Sequence, residues 1–182
     1  MSVHIEFKEE LEGLSSELNI WSLADIRMPT RVEINGDCVP PQGEMNRPGK
    51  YNDLYSIYIV IKKITEFLSS SEEVTRFLRA RRPVDDELRF EKLDESRVRI
   101  DWGYHPHYEH TEVVGRDALA SEVLATGREY IQFAREVVFP YGEANPDWAG
   151  EYGKIYQLDQ DREFIDELEA VLDEFEAADT PE

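Results

Sequence analysis

Apolar and polar positions alternate with a period of two in some stretches and of 3.6 in others, and the switches between the two periods lay out the elements. Val3, Ile5 and Phe7 alternate with polar neighbours, which predicts a strand with one buried face. A second extended segment is expected near residues 18–23. Arg31-Val32-Glu33-Ile34 and Asp37-Cys38-Val39 flank Asn35-Gly36, a dipeptide that readily takes the positive φ angles of a type I′ turn. A hairpin follows, and Pro40-Pro41 ends it before a loop rich in Gly, Pro and Asn.

The period then lengthens. Leu54, Ile57, Ile61, Ile64 and Leu68 share one stripe of a helix over about 53–68, while Tyr55, Tyr58, Ile59 and Val60 fill much of its circumference. A helix so apolar is expected to be central. Ser70 followed by Glu73 has the spelling of a capping box and predicts a shorter helix to about residue 80, ended by Arg82-Pro83. Leu88 and Phe90 alternate with Arg89 and Glu91, and Val98, Ile100 and Trp102 with Arg97, Arg99 and Asp101. With Leu93-Asp94-Glu95-Ser96 as the turn, strands at 87–93 and 97–104 form an antiparallel hairpin. Residues 111–114 are expected to add a strand.

A long helix opens at Gly115-Arg116-Asp117 and reaches about residue 138, with Gly127 inside it marking a kink or a close helix contact. Phe139-Pro140-Tyr141-Gly142 is expected to break it, leaving an irregular aromatic-bearing stretch to residue 158. The last helix, about 162–177, has Phe164, Ile165, Leu168, Val171, Leu172 and Phe175 on one face and acid on the other. Residues 178–182 are expected to be disordered. The sum is a single α+β domain spanning 1–182: an antiparallel sheet built from hairpins, with three to four helices packed on it. Trp21 and Trp102 fall in expected strands and belong to its core.

Charge changes this picture from fold to milieu. The 182 residues carry 40 acidic and 20 basic side chains, a formal balance of -20, and only 6 of the 20 basic residues are lysines. In molar salt the Debye length falls to about 3 Å, so carboxylates scarcely repel one another and can hold a hydration shell. The acid-rich, lysine-poor balance resembles that of cytoplasmic proteins from salt-loving archaea. It disfavours nucleic acid, because phosphate neutralisation needs clustered Lys and Arg. Arg76, Arg79, Arg81 and Arg82 alone cluster, and acids flank them. No apolar stretch approaches a membrane span, and the N-terminus has no signal-peptide pattern, so a cytoplasmic location is expected. The single Cys38 rules out an internal disulfide or a multi-cysteine zinc site.

Candidate chemistry is concentrated in His105-Pro106-His107-Tyr108-Glu109-His110. In an extended segment His105 and His107 point the same way, and His110, after a turn, could add a third imidazole for a divalent transition metal. The equally open reading is a loop whose histidines bond locally or stack on Tyr104 and Tyr108. The spelling resembles the His-x-His-x-Asp-His signature of the metallo-β-lactamase superfamily over these six residues. Glu109 stands where that family has Asp, and no histidine follows His110, so its hydrolase activity is not expected here. Trp148, Tyr152 and Tyr156 form the other notable group, either a recognition surface or a pin holding a loop to the core.

The order of elements over about 15–138 is similar to that of small α+β proteins that include immunity proteins of bacterial toxin systems. That resemblance implies a tight-binding protein whose acidic face neutralises a basic partner. The expected function is therefore a non-catalytic protein-interaction module adapted to high salt. The alternative is a metal-binding protein or small metalloenzyme centred on His105, His107 and His110.

Overall fold

Val3, Ile5 and Phe7 do bury one face of a strand, and what they meet sets the plan of the molecule. Phe7 packs edge-on to Tyr130 with ring centroids 5.5 Å apart and against Phe133 at 5.8 Å, both on the long helix that follows the second sheet. The computed structural model describes residues 2–7, 30–39, 57–79, 86–104, 107–144 and 156–179.

Two antiparallel sheets are present among the described residues, where the sequence pattern suggested one. The first has the order β1 (Val3–Phe7), β2 (Thr30–Ile34), β3 (Asp37–Val39). Asn35 at φ 56° and Gly36 at φ 91° make the expected turn between β2 and β3. The second sheet is a meander, β4 (Val74–Arg79), β5 (Asp86–Lys92), β6 (Arg97–Tyr104) and β7 (His107–Gly115). Helices α1 (Ile57–Ser69), α2 (Arg116–Phe133) and α4 (Tyr156–Asp179) complete the core, with α3 (Phe139–Ala144) a short extension of α2. One hydrophobic cluster joins residues of both sheets and all the helices. The extended segment expected near 18–23, with Trp21, lies outside the described residues.

Helix α1 is central, as its apolar circumference requires. Ile57, Val60, Ile61, Ile64 and Phe67 are buried, and only Ile59 among its large apolar side chains faces water. Its C-terminal carbonyls are closed by cations from neighbouring strands and helices. Arg116 Nη2 donates to Leu68 O at 3.2 Å, and Lys92 Nζ donates to Ser70 O at 2.5 Å while lying over the Phe67 ring. Burial, then the nearby Arg116 charge, lowers the Lys92 ammonium below the usual lysine range.

The helix expected over residues 70–80 is a strand instead. Ser70 serves the end of α1: its N–H donates to Glu66 O and its hydroxyl to Phe67 O, and the same oxygen accepts from Glu72 N. Beyond it Val74 and Thr75 are β-branched, and Thr75 and Phe77 bury the face that Phe90 completes, with Phe77 and Phe90 edge to face at 5.8 Å. Tertiary pairing with β5 outweighs a capping-box spelling that needed no more than two residues to arise.

Pro140 does not end the second long helix. Between α2 and α3 the chain takes one π-helical turn, Ala134–Val138, in which Phe139 N–H reaches back to Ala134 O. The wider turn displaces the preceding carbonyls from their α-helical positions, so the helical path carries on past Pro140 into α3. The stretch expected to be irregular over 139–158 is thus helical at 139–144 and again from residue 156. At the other end, α4 continues through Ala178 and Asp179, two positions into the tail expected to be disordered.

Gly127 is the close helix contact its position suggested. A Cβ there would sit 2.7 Å from Leu172 Cδ1 and 3.0 Å from Ile61 Cγ2, so the absence of a side chain lets α2 seat against α4 and α1 at once. On the N-terminal side of Gly127, the same helix covers the edge of β1 that faces away from β2. Glu122 Oε1 accepts from Ile5 N–H at 2.7 Å and Thr126 Oγ1 donates to Ile5 O at 2.9 Å. Two side chains, four residues apart, satisfy the backbone groups of Ile5 that β2 does not.

Candidate functional site

Helix α4 is the most acidic element among the described residues. Ten of the 24 residues of α4 are Asp or Glu, and Arg162 is its only base. Ile165, Leu168, Leu172 and Phe175 seat one face in the core. Cations borne by other elements then line both flanks. On one side Arg128 donates to Asp173 at 2.6 Å and Glu176 at 2.8 Å, and Arg135 in the π turn donates to Asp166 and Glu169 at 2.7 Å each. On the other, Lys62 of α1 donates to Glu167 at 2.6 Å and Tyr58 OH donates to the same carboxylate at 3.0 Å.

These bonds shift the groups that make them. The Lys62 ammonium and then the Tyr58 hydroxyl hold the Glu167 carboxyl below its ordinary range. Arg135 does the same for Glu169. Burial, reinforced by Glu167, raises the Tyr58 hydroxyl. At its start α4 is tied to α3 by Arg162, which pairs with Glu143 and lies over the Phe139 ring at 5.5 Å. The flanks are therefore fixed, and the crest between them is left to solvent. Glu163 and Glu174 are exposed on that crest and make no ion pair among the described residues. Eleven residues is close to three turns, so the two carboxylates stand on one line about 16 Å apart.

A second charged surface lies on the face of the four-stranded sheet opposite the core. Arg89 and Glu91 of β5 stand in register with Asp101 and Arg99 of β6. Arg89 donates to Asp101 at 3.0 Å and pairs with Glu91 at 2.7 Å. Arg99 donates to Asp101 at 3.1 Å and also to Glu91, which closes a ring of two arginines and two carboxylates. Thr111 of β7 adds a third donor to Asp101 at 2.8 Å, so this carboxylate, 2% exposed, is fully engaged. Beside it Glu87, 1% exposed, has Arg76 Nε at 3.3 Å. The ring is electrically balanced and holds strand register, since a one-residue slip would set side chains of the two faces against each other.

The sequence reading did not single out this ring. Its signal was present: Arg89/Glu91 and Arg99/Asp101 occupy the same phase of two alternating strands joined by a short turn. Which charge meets which depended on the register, and that was set by the Leu93–Arg97 turn.

Of the three clustered histidines, His107 and His110 fall in β7. Tyr104 of β6 and His107 of β7 face each other in register, and His105 and Pro106 lie outside the described residues. His107 begins β7, with its side chain outside the described set. His110 belongs to the same strand rather than following a turn. It pairs with Trp102, is exposed, and lies against the indole with ring centroids 6.1 Å apart. The register slips by one residue at Trp102/Gly103, where Gly103 takes φ 149° and Glu109 is the extra residue of β7. Among the described residues no three His, Cys, Asp or Glu side chains gather within reach of one ion. Trp148 and Tyr152 lie outside the described residues, and Tyr156 is the first residue of α4, its side chain likewise outside.

No described helix is long and apolar enough to cross a membrane. Comparison with protein-family models, with curated proteins and with solved structures finds no match to this chain.

Proposed function

We infer that the protein is a non-catalytic binding protein of the immunity type, suited to concentrated salt, that holds a basic protein partner against the acidic crest of α4. One observation supports this above the others: the crest carboxylates are held on a helix locked on both flanks by Lys62, Arg128 and Arg135, while Glu163 and Glu174 are exposed and pair with none of these cations. In molar salt long-range steering is lost within about 3 Å. Recognition there depends on carboxylates already fixed where a partner's Arg and Lys side chains arrive, because direct ion pairs survive screening that abolishes attraction at a distance. The aromatic run containing Trp148 and Tyr152 leads into α4 at Tyr156 and would supply the apolar part of the same surface.

The test is retention of partners from the extract of native cells in 2 M KCl, on immobilised wild type and on the doubly reversed Glu163→Lys/Glu174→Lys variant. The expected result is a discrete basic protein retained by the wild type and lost from the variant. Identical sets on both columns, or none on either, would overturn the proposal.

A further inference from the structure

The sheets of this protein treat their edges unequally. In the first sheet Asn35 N–H donates to Ser2 O, which makes Ser2–Asn35 a hydrogen-bonded pair and turns the backbone groups of Ile5 outward. Those groups are taken by Glu122 and Thr126. The opposite edge, β3, is three residues long. In the second sheet Lys92 N–H donates to Glu73 O, so Arg76 faces outward from β4, and its carbonyl accepts from Lys63 Nζ at 2.7 Å.

The fourth edge is different. Arg116 N–H donates to Ser96 O, one step beyond the Arg97–Gly115 pair. The bonded pairs of that ladder are therefore Val98–Val114, Ile100–Glu112 and Trp102–His110, and the N–H and C=O groups of Thr111 and Val113 point away from β6. Among the described residues nothing bonds to them, and His110 and Thr111 are exposed. At nine residues β7 is the longest edge strand among the described residues, and its outward backbone groups make it a template for strand addition.

We propose that β7 is the interface through which two copies of this chain pair, antiparallel, about a two-fold axis at Thr111. The side-chain order of β7 suits itself in that register. His110 of one copy lies opposite Glu112 of the other, whose Oε2 accepts from Asn35 Nδ2 of its own copy at 3.1 Å and whose Oε1 meets the imidazole, and the pairing occurs twice; an axis at Glu112 would instead set two carboxylates face to face. The two four-stranded meanders become one continuous sheet, and the acidic crests of α4 are not required for the contact.

Sedimentation of the untagged protein in 2 M KCl over a range of concentrations tests this, together with amide exchange at Thr111 and Val113. The expected result is a dimer in which those two amides are protected although they face away from β6. Val113→Pro removes an outward N–H without touching the β6 ladder, and should weaken the dimer at least about a hundredfold. His110→Glu, at an exposed position, puts acid opposite acid and should weaken it about tenfold. If Val113→Pro does not fold, His110→Glu and the exchange rates decide. A monomer at all concentrations, rapid exchange of both amides in a dimer, or a dimer constant unchanged by His110→Glu would overturn the proposal.

Discussion

Gly127 and Leu172 meet so closely that a single methyl group on the glycine would fall 2.7 Å from the leucine Cδ1, with Ile61 Cγ2 at 3.0 Å on the other side. Leu172 is itself fully buried, so it has nowhere to retreat. Gly127→Ala gains helix propensity of about 1 kcal/mol but forces a packed core apart, at a cost of about 1–3 kcal/mol. The expected outcome is a net loss of about 1 kcal/mol or more, read as a lower urea midpoint with unchanged slope. A more stable variant would show that α2 and α4 can separate freely.

Asp101→Ala should be among the most damaging substitutions on the sheet. It leaves Arg89, whose side chain is 15% exposed, with one carboxylate instead of two, and takes a partner from Arg99 and Thr111. Breaking a largely buried ion pair from one side costs about 3 kcal/mol. Equilibrium unfolding of the single variants and of Arg89→Met/Asp101→Leu would separate pair loss from burial. The double variant should recover most of the loss.

Thr126→Val keeps the shape of the side chain and removes its hydroxyl from Ile5 O, leaving a buried carbonyl without that donor. A loss of about 1–2 kcal/mol is expected. Glu122→Ala should speed exchange of the Ile5 amide, which it alone covers on that edge, more than exchange of the inward-facing amides of His4 and Glu6. Equal changes at all three would mean that β1 is held by β2 alone.

Acid should weaken the protein in a defined window. Hydrogen bonds from the Arg97 side chain and from Ser96 lower the Asp94 carboxyl to about 2, against about 4 in an unfolded chain. A depressed folded value means stability that is complete above pH 4 and is lost as pH falls towards 2. The lowered carboxyls of Glu167 and Glu169 act in the same direction. In 2 M KCl, where the remaining carboxylates repel little, unfolding midpoints should fall between pH 5 and 2. The fall should be shallower in Asp94→Asn.

Salt should stabilise. With 40 acidic residues against 20 basic ones, lowering KCl from 2 M to 0.1 M lengthens the Debye length from a few ångströms to about 10 Å and lets surplus carboxylates repel. The thermal midpoint should rise steadily as KCl is raised from 0.1 M to 2 M, while Glu163→Lys/Glu174→Lys should flatten the rise.

Local rules carried the sequence reading where one strand or turn could satisfy them alone. The alternation at Val3, Ile5 and Phe7, the Asn35-Gly36 turn, the stripe of α1 and the 87–104 hairpin each follow from side chains within a few residues. Val74–Arg79 failed that test, because Ser70 and Glu73 imitate a helix start and only the partner strand β5 decides the matter. Pro140 failed it for another reason: whether a proline breaks a helix depends on the turn before it, and a π turn has no sequence spelling of its own. The acidic face of α4 was legible from its periodicity. Its locking was not, since Lys62, Arg128 and Arg135 lie 31 to 105 residues away along the chain.

The π turn at Ala134–Val138 holds one residue more than an α-helical turn would. It acts as an angular offset: every side chain after it is rotated by about 100° relative to an uninterrupted helix. Phe139 is buried and under Arg162 because of that offset. A chain shortened by one residue at this point would lose that offset, set the Pro140 ring inside an α-helical turn, aim Phe139 elsewhere and unhitch the beginning of α4 from α3. The position is thus a phase setting for the whole acidic wall, and a length change of one residue there does more than most substitutions within the wall itself.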